Sequence, residues 1–502
     1  MRIRKPLFAV FALLYVLILP FLISYALGYD LVGIARGRFV RTGGVFVAST
    51  PPRARFTLDG KEQPRRTPLS VISLPTGIHS ARLELDGFRP WVRSVRVRPG
   101  EVTIVDDALL IPEKWPQRFI ATTAFADLWP EAVGPYLLFR KGPRLRDLWL
   151  YDVRGDTIVR ANVQAPVTTA ASIQSIHTQF GSASFLLEVS AAGARRVLRG
   201  RVQWPTVRFD DVTRLFPAPL VSPQWSPQDS DTIYTTRKGR LYQVRLSTRT
   251  ARPYPARLLS GFTLEGRQIY GLDQRMNLWK IDPADGEWQE VHTWDAPLTG
   301  LPDRTSATLS LPGSDLILAK SANGELVAAW PEASFRASDV IGFGSSSPLL
   351  SVLAWQKPWM VVATLVEPQG DAQPAAPGGT QASQSKSPAP KRALPTVKTE
   401  WIPSRGGEIS QAWFVYGVTH VLYHGGDQVT LHAPSHDGQD FNYWVANVRG
   451  GTSAWYSGET GRVYYIDRTT GKPAWTQVVA QPQSLVGLIQ EIRDFAGATG
   501  GQ

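Results

Sequence analysis

The chain contains no cysteine, and only 19% of its 502 residues are Asp, Glu, Lys or Arg. Without cysteine there are no disulfides, no thiolate nucleophile, and no Cys-ligated metal or iron–sulfur site. The scarcity of charge argues against long solvated helices, which draw heavily on Glu and Lys. Most catalytic signatures are missing as well. The sequence holds no Walker-type phosphate loop, no G-x-G-x-x-G fingerprint, no G-x-S-x-G elbow, no H-E-x-x-H and no EF-hand loop. Gly342-Phe343-Gly344 opens like a dinucleotide loop but supplies no third glycine, and a turn is expected there. There is no Asn-x-Ser/Thr sequon, so N-glycosylation is not expected. Asp106-Asp107 and Asp210-Asp211 are adjacent carboxylates. Neighbouring strand residues point to opposite faces, so neither pair converges on one substrate bond.

What is abundant points to β structure. Seventeen Trp and fifteen Tyr stand beside 43 Gly and 39 Pro, a composition that fits many short strands punctuated by turns. The length calls for two or three domains. The net charge of +12 is uneven: residues 1–112 carry 16 basic against 8 acidic residues, the remainder 38 against 34. With no nucleic-acid-binding motif in the chain, nucleic acid is not an expected partner; anionic headgroups are.

One long apolar run exists, residues 7–27, 21 residues without a charge. As a helix it would be about 32 Å long, enough for a hydrocarbon core of about 30 Å. It exceeds the h-region of a cleavable signal peptide, so an anchor is expected although Ser24-Tyr25-Ala26 could serve as a cleavage site. Arg2, Arg4 and Lys5 precede it and Arg36, Arg38 and Arg41 follow. The charges nearest the bilayer place the N-terminus in the cytoplasm and the bulk of the chain outside. The expected plan is a cytoplasmic basic tail at 1–6, a transmembrane helix at 7–27 as the lipid partner, and a juxtamembrane linker at 28–43.

Dense turn signals then begin: Asp59-Gly60, Thr67-Pro68-Leu69, Pro75-Thr76-Gly77 and Asp86-Gly87. Between them, residues 80–85 and 92–97 alternate polar and apolar side chains, as strands with one buried face do. A small antiparallel β-sandwich is predicted over 44–112. Ser49-Thr50-Pro51 with Ala54, Asp59-Gly60, Thr67-Pro68-Leu69, residues 74–79, Leu85-Asp86-Gly87-Phe88 and Pro99-Gly100-Glu101 follow one another in an order that resembles the PEGA domain. Two departures are visible. The motif that names the family reads Pro51-Pro52-Arg53-Ala54, and Arg65-Arg66 stands where a Gly usually precedes Thr-Pro; an Arg at a positive φ would be strained. The resemblance implies an envelope or surface location and a role in contacts, as spacer or as binding module, rather than catalysis.

From residue 113 a phrase recurs in which Leu or Val precedes an aromatic residue: Leu148-Trp149, Leu241-Tyr242, Leu278-Trp279 and Val463-Tyr464. Weaker copies lie near Leu186, Leu326 and Val361, and a hairpin spans His420 to His432. The spacing fits four-stranded propeller blades. Ser222-Pro223-Gln224-Trp225-Ser226-Pro227 followed by Ile233-Tyr234 resembles a blade of a TolB-type propeller, with Gln228-Asp229 in place of the family's Asp-Gly. The expected fold is mostly β: a transmembrane helix, the small sandwich, then a seven- or eight-bladed β-propeller over 113–480. Residues 367–399, rich in Pro, Ala, Gly, Ser and Gln, are predicted as a disordered insertion. Residues 481–502 are predicted as an amphipathic helix, with Leu485, Leu488, Ile489, Ile492 and Phe495 at helical spacing, and a loose tail.

Four of the seven histidines, His420, His424, His432 and His436, fall close together. A three-residue loop at 425–427 would place His420 opposite His432 and create a candidate zinc or copper site; a shorter turn would place Leu431 there instead. Cross-strand histidines on a solvated face are the alternative. No cofactor is expected and no residue stands out as catalytic. The function that fits is an extracytoplasmic binding or scaffold protein of the cell envelope, its partner a protein or a polysaccharide. A propeller enzyme acting on glycans and a purely structural tether are the competing readings.

Overall fold

The computed structural model describes residues 13–16, 18–19, 41–129, 133–178, 184–216, 220, 223–255, 257–265, 267–275, 277–283, 286–291, 307–313, 316–330, 333–346, 351–366, 396–405, 407–416, 420–433 and 441–480. Among these, no helix is long and apolar enough to cross a membrane. Residues 13–16 and 18–19 are helical, with Leu13, Leu14, Val16 and Ile18 exposed; the rest of 7–27 lies outside the described residues, as do the predicted C-terminal helix and His436.

The small domain is a sandwich of seven strands: β1 (Thr42–Thr50), β2 (Arg55–Leu58), β3 (Lys61–Glu62), β4 (Leu69–Pro75), β5 (Gly77–Glu84), β6 (Trp91–Val97) and β7 (Val102–Leu109). One sheet runs β4-β1-β7 and the other β3-β2-β5-β6. The sandwich is not wholly antiparallel as expected, because β1 and β7 pair in parallel, Gly44 with Val102 through Thr50 with Leu109. The predicted alternation does build the core. Ala81 and Leu83 of β5 and Val95 and Val97 of β6 point inward onto Val45, Val47 and Phe56.

The family landmarks meet at one point. Thr67 Oγ1 lies 2.6 Å from Ser49 Oγ and accepts the Ala54 amide at 2.9 Å. The Arg53 amide donates to the Thr67 carbonyl at 2.8 Å. Arg53 has φ +70°, so the left-handed residue is the Arg at the glycine position of the naming motif; neither Arg65 nor Arg66 is among the described residues with positive φ.

Among the described residues beyond the small domain lie eight sheets, antiparallel except where Asn162–Gln164 pairs in parallel with Thr206–Asp211. Blade one comprises Asp127–Leu128, Tyr136–Arg140, Leu148–Asp152 and Thr157–Arg160; blade two comprises Ser172–His177, Ser184–Ala191, Ala194–Gln203 and Thr206–Asp211, with Asn162–Gln164 added on its outer edge. Blades three to seven each form a four-strand meander, starting at Gln224, Leu259, Ala307, Gly342 and Ile409. Blade eight supplies three strands, Trp455–Ser457, Arg462–Ile466 and Pro473–Gln477, and takes its fourth, β8 (Gln117–Phe119), from the start of the propeller.

Hydrophobic packing proves that these sheets close into a ring. Each large cluster joins consecutive blades, from one–two (Leu138, Phe185) through seven–eight (Leu422, Tyr465), and Phe139 with Tyr464 and Ile466 joins blade eight back to one. The inner strands are buried on both faces, so they read as apolar runs such as residues 316–319 and Leu326–Trp330. The recurrent phrase falls on the third strand of blades one, three and four and on the second of blade eight.

Two local expectations are corrected. Gly342–Ser346 is the first strand of blade six, not a turn, because it pairs from Gly342–Trp355 to Ser346–Ser351. Thr396–Pro403 is the last strand of that blade, which takes 396–399 out of the predicted insertion; residues 367–395 lie outside the described residues.

Candidate functional site: the cleft between the small domain and the propeller

The two domains are joined by more than a linker. Leu109 and Ile111, where β7 runs out, belong to the core shared by blades seven and eight. The chain leaving β7 is held to the turn between β5 and β6: the Arg89 amide donates to Ile111 O at 2.8 Å, and the Glu113 amide to Gly87 O at 3.0 Å. Trp115 packs against the same core.

This junction leaves a cleft of about 570 Å³ between Arg89, the 113–117 segment and Phe441–Asn447, the outer strand of blade seven. Phe441 and Tyr443 project from one face of that strand, their rings stacked with centroids 6.1 Å apart and planes at 15°. The Arg89 guanidinium lies 5.3 Å from the Tyr443 ring centre. Phe441 is 45% exposed and Trp444 58%. The strand bulges here: Thr430 pairs with Trp444 but Val429 with Ala446. The extra residue, Val445, is buried in the blade core while Trp444 is left outside. Bulges re-aim side chains in this way beside binding sites.

The polar lining consists of Asn442, Asn447, Gln117, Asp467, Glu113 and Lys114. Burial works to raise the Asp467 carboxyl. Hydrogen bonds from the Thr470 side chain and amide (2.7 and 2.8 Å) and from Gln117 (3.3 Å) overcome it and hold the group below the usual carboxylate range. Burial pushes the Tyr465 hydroxyl up to about 12, and also raises Tyr443 against the opposing charge of Arg89. The cleft therefore offers flat aromatic faces, amides and fixed charges, with its best-positioned carboxylate already engaged in a turn.

The histidines do not assemble as the expected register required. Gly425 pairs with Gln428 across a two-residue turn at Gly426-Asp427, which sets Val421 opposite His432 and Leu422 opposite Leu431. Alternation then puts His420 and His424 on the face of Leu422, toward blade eight, and His432 on the face of Val421, toward blade six. His432 Nδ1 lies 3.2 Å from Asn442 Oδ1, and its Nε2 3.7 Å from Glu400 Oε1. His424, beside Ser410 Oγ at 2.9 Å, is pushed down to about 4 by burial and is neutral at neutral pH. Among the described residues no three His, Asp or Glu gather as a metal would need. In blade two Ser175 donates to Glu188 at 3.0 Å and lies 3.4 Å from His177 Nε2. Its proton is committed to the carboxylate, the reverse of an activated hydroxyl.

Neither Arg89 nor the Phe441–Asn447 strand stood out in the sequence. The run Phe441-Asn442-Tyr443-Trp444 is the one local signal, and its meaning depends on the small domain lying against it.

Residues 42–110 match the PEGA domain family. No curated protein matches the chain. Among solved structures, the chain is similar to the Dos1 propeller (12% identity, 73% of this chain and 96% of that one, TM-score 0.42). It is also similar to the β-propeller domain of Cps50 (Swd1) from Myceliophteria thermophila (10% identity, 72% and 100%, TM-score 0.35).

Proposed function

We propose that this chain is a membrane-anchored, extracytoplasmic binding protein of the cell envelope, and that the junction cleft seats its protein or polysaccharide partner. The cleft carries the proposal: an indentation between two domains, floored by stacked and exposed aromatic rings and rimmed by amides and charges, is the geometry that recognises a ligand. Binding rather than catalysis fits the commitment of Asp467 to its own turn. Residues 7–27 supply the anchor by their length and apolarity.

The test uses a photo-crosslinking residue in place of Trp444 in intact cells. Discrete adducts are expected there and not from a crosslinker at Thr248, on an exposed turn of blade three. Phe441→Ala, at an exposed position of the same ring stack, should weaken them while the thermal transition stays in place. Equal labelling from both positions would remove the cleft as the binding site. Digestion of the propeller by protease in cells whose plasma membrane is intact checks the compartment.

A further inference from the structure

The small domain has two distinct ends, and the parallel pairing of β1 with β7 fixes which is which. Both strands run the same way. Their C-terminal ends, Thr50 and Leu109, lead toward the propeller, and Ile111 is part of its core. Their N-terminal ends, at Gly44 and Val102, therefore lie at the far end, about 20 Å away at the rise of an extended strand. The described chain enters the domain there, at Arg41. So do the turns at Pro75-Thr76-Gly77 and Pro99-Gly100-Glu101.

That far end is unusually apolar on its outside. Ile72 is 72% exposed, Ile78 68%, Ile104 65% and Val102 57%. Three of these side chains share the outer face of the β4-β1-β7 sheet. Gly44 pairs with Val102, and Phe46 with Ile104. A Cβ on Gly44 would lie 3.4 Å from Val102 Cγ2 and 3.8 Å from Ile72 Cγ2, so the missing side chain lets the two flanking residues approach each other. Apolar side chains scattered singly over a surface need no explanation, whereas a contiguous group at one end of a domain marks a contact. Basic residues stand beside it: Arg96 pairs across from Ile78, Arg41 stands at the chain's entry, and Arg98 follows β6, 3.7 Å from the Glu101 carboxylate.

We propose that this end of the small domain rests on the bilayer in which residues 7–27 are anchored, with Ile72, Val102 and Ile104 at the headgroup–acyl boundary and the arginines among anionic headgroups. The proposal rests on the anchor reading of 7–27. Length and charge favour lipid as the occupant. Thirteen residues, 28–40, separate the apolar run from Arg41; a coil of that length would span roughly 20 Å, so the patch would be held at high effective concentration beside the membrane and a modest apolar contact would suffice. Basic side chains beside an apolar patch are what an anionic interface attracts. Seated this way, the parallel strands carry the junction cleft away from the lipid.

The absence of cysteine makes the test direct. Single cysteines at Ile72, Val102 or Ile104 are labelled with an environment-sensitive nitrobenzoxadiazole dye on the full chain. Each is reconstituted in vesicles of equal parts phosphatidylcholine and phosphatidylglycerol, with and without spin-labelled lipid, and Thr248→Cys serves as the propeller control. Blue-shifted emission that spin-labelled lipid quenches, at the three sites but not the control, is expected. Ile72→Glu combined with Ile104→Glu, both at exposed positions, should leave the melting transition unchanged and lower quenching at a Val102→Cys label several-fold. Blue-shifted emission insensitive to the lipid quencher would mean that residues 28–40 or a second copy cover the face, and would overturn the proposal. Water-like emission would overturn it too. Flotation with the vesicles separates the two levels: a chain that does not float removes the anchor, and one that floats with unquenched dyes removes only the seating.

Discussion

At the scale of residues, Thr67 shows why a short motif can dictate a fold. It is 2% exposed, and its hydroxyl serves both Ser49 and the Ala54 amide. Thr67→Val keeps the shape but leaves the buried Ala54 amide without its acceptor, while Ser49 Oγ keeps only its bond to the Pro51 carbonyl at 2.8 Å, so the small domain should lose about 1–3 kcal/mol, read by chemical denaturation; no loss would mean the hydroxyl is dispensable. His79 gives a pH signature. Its Nδ1 lies 2.6 Å from Asp59 Oδ2 and its Nε2 2.8 Å from the Pro75 carbonyl. Both partners only accept, so both ring nitrogens carry protons. Burial opposes the charged ring, but Asp59 and the Pro75 carbonyl outweigh it and raise the His79 value above its ordinary 6.5. The His79 hydrogen bond, with the Ser80 amide, lowers Asp59 below its ordinary 3.8. A raised histidine stabilises fully below its unfolded value, and the contribution fades as pH rises through the folded value. A lowered carboxyl stabilises fully above its unfolded value, and that contribution fades as pH falls through the folded one. Stability from the pair should therefore be greatest between 3.8 and 6.5. Denaturation of wild type and His79→Gln across pH tests this: their difference should shrink above 6.5, and a constant difference would refute it.

At the scale of elements, blade two carries a buried charge in an otherwise apolar strand. Glu188 is held by Arg195, Ser175 and the Leu220 amide. Burial would raise its carboxyl, yet these donors keep it below its ordinary value. Glu188→Ala strands the donors and should cost about 2 kcal/mol. Glu188→Gln, which keeps an acceptor, should cost less. The wild-type advantage should disappear as pH falls through the Glu188 titration, measured by thermal melting. An advantage persisting in acid would mean that packing, not charge, holds the strand. Single strands and turns were legible in the sequence because turn chemistry and alternation are local. The Asp59-Gly60 turn has φ of 49° and 79°, both positive as a tight hairpin needs. The histidine hairpin failed for the opposite reason. A turn one residue shorter than assumed shifts the pairing, and alternation then sends His432 to a different blade from His420 and His424.

At the scale of the whole molecule, ring closure couples distant parts of the chain. Thr476 pairs with Gln117 and Ala474 with Phe119, so blade eight is completed by residues more than 350 positions away. A chain truncated before residue 121 should lose that strand together with the Leu109, Ile111 and Trp115 contacts, several kcal/mol of burial. Hydrogen exchange should then show blades one and eight losing protection together; loss confined to blade eight would mean that the ring tolerates an open seam.

The sequence by itself determined the β class, the extent of the small domain, the apolar segment and a recurrent phrase on four of the blades, because composition, turn residues and periodicity act over a few neighbours. Tertiary structure alone decided that the described residues form eight blades, that β8 closes the ring, that His420 and His424 lie on one face and His432 on the other, and that Arg89 meets Tyr443 beside an outward-turned Trp444. Each of these depends on strand register or on contacts between segments hundreds of residues apart, and a local pattern does not encode which distant surface it will meet.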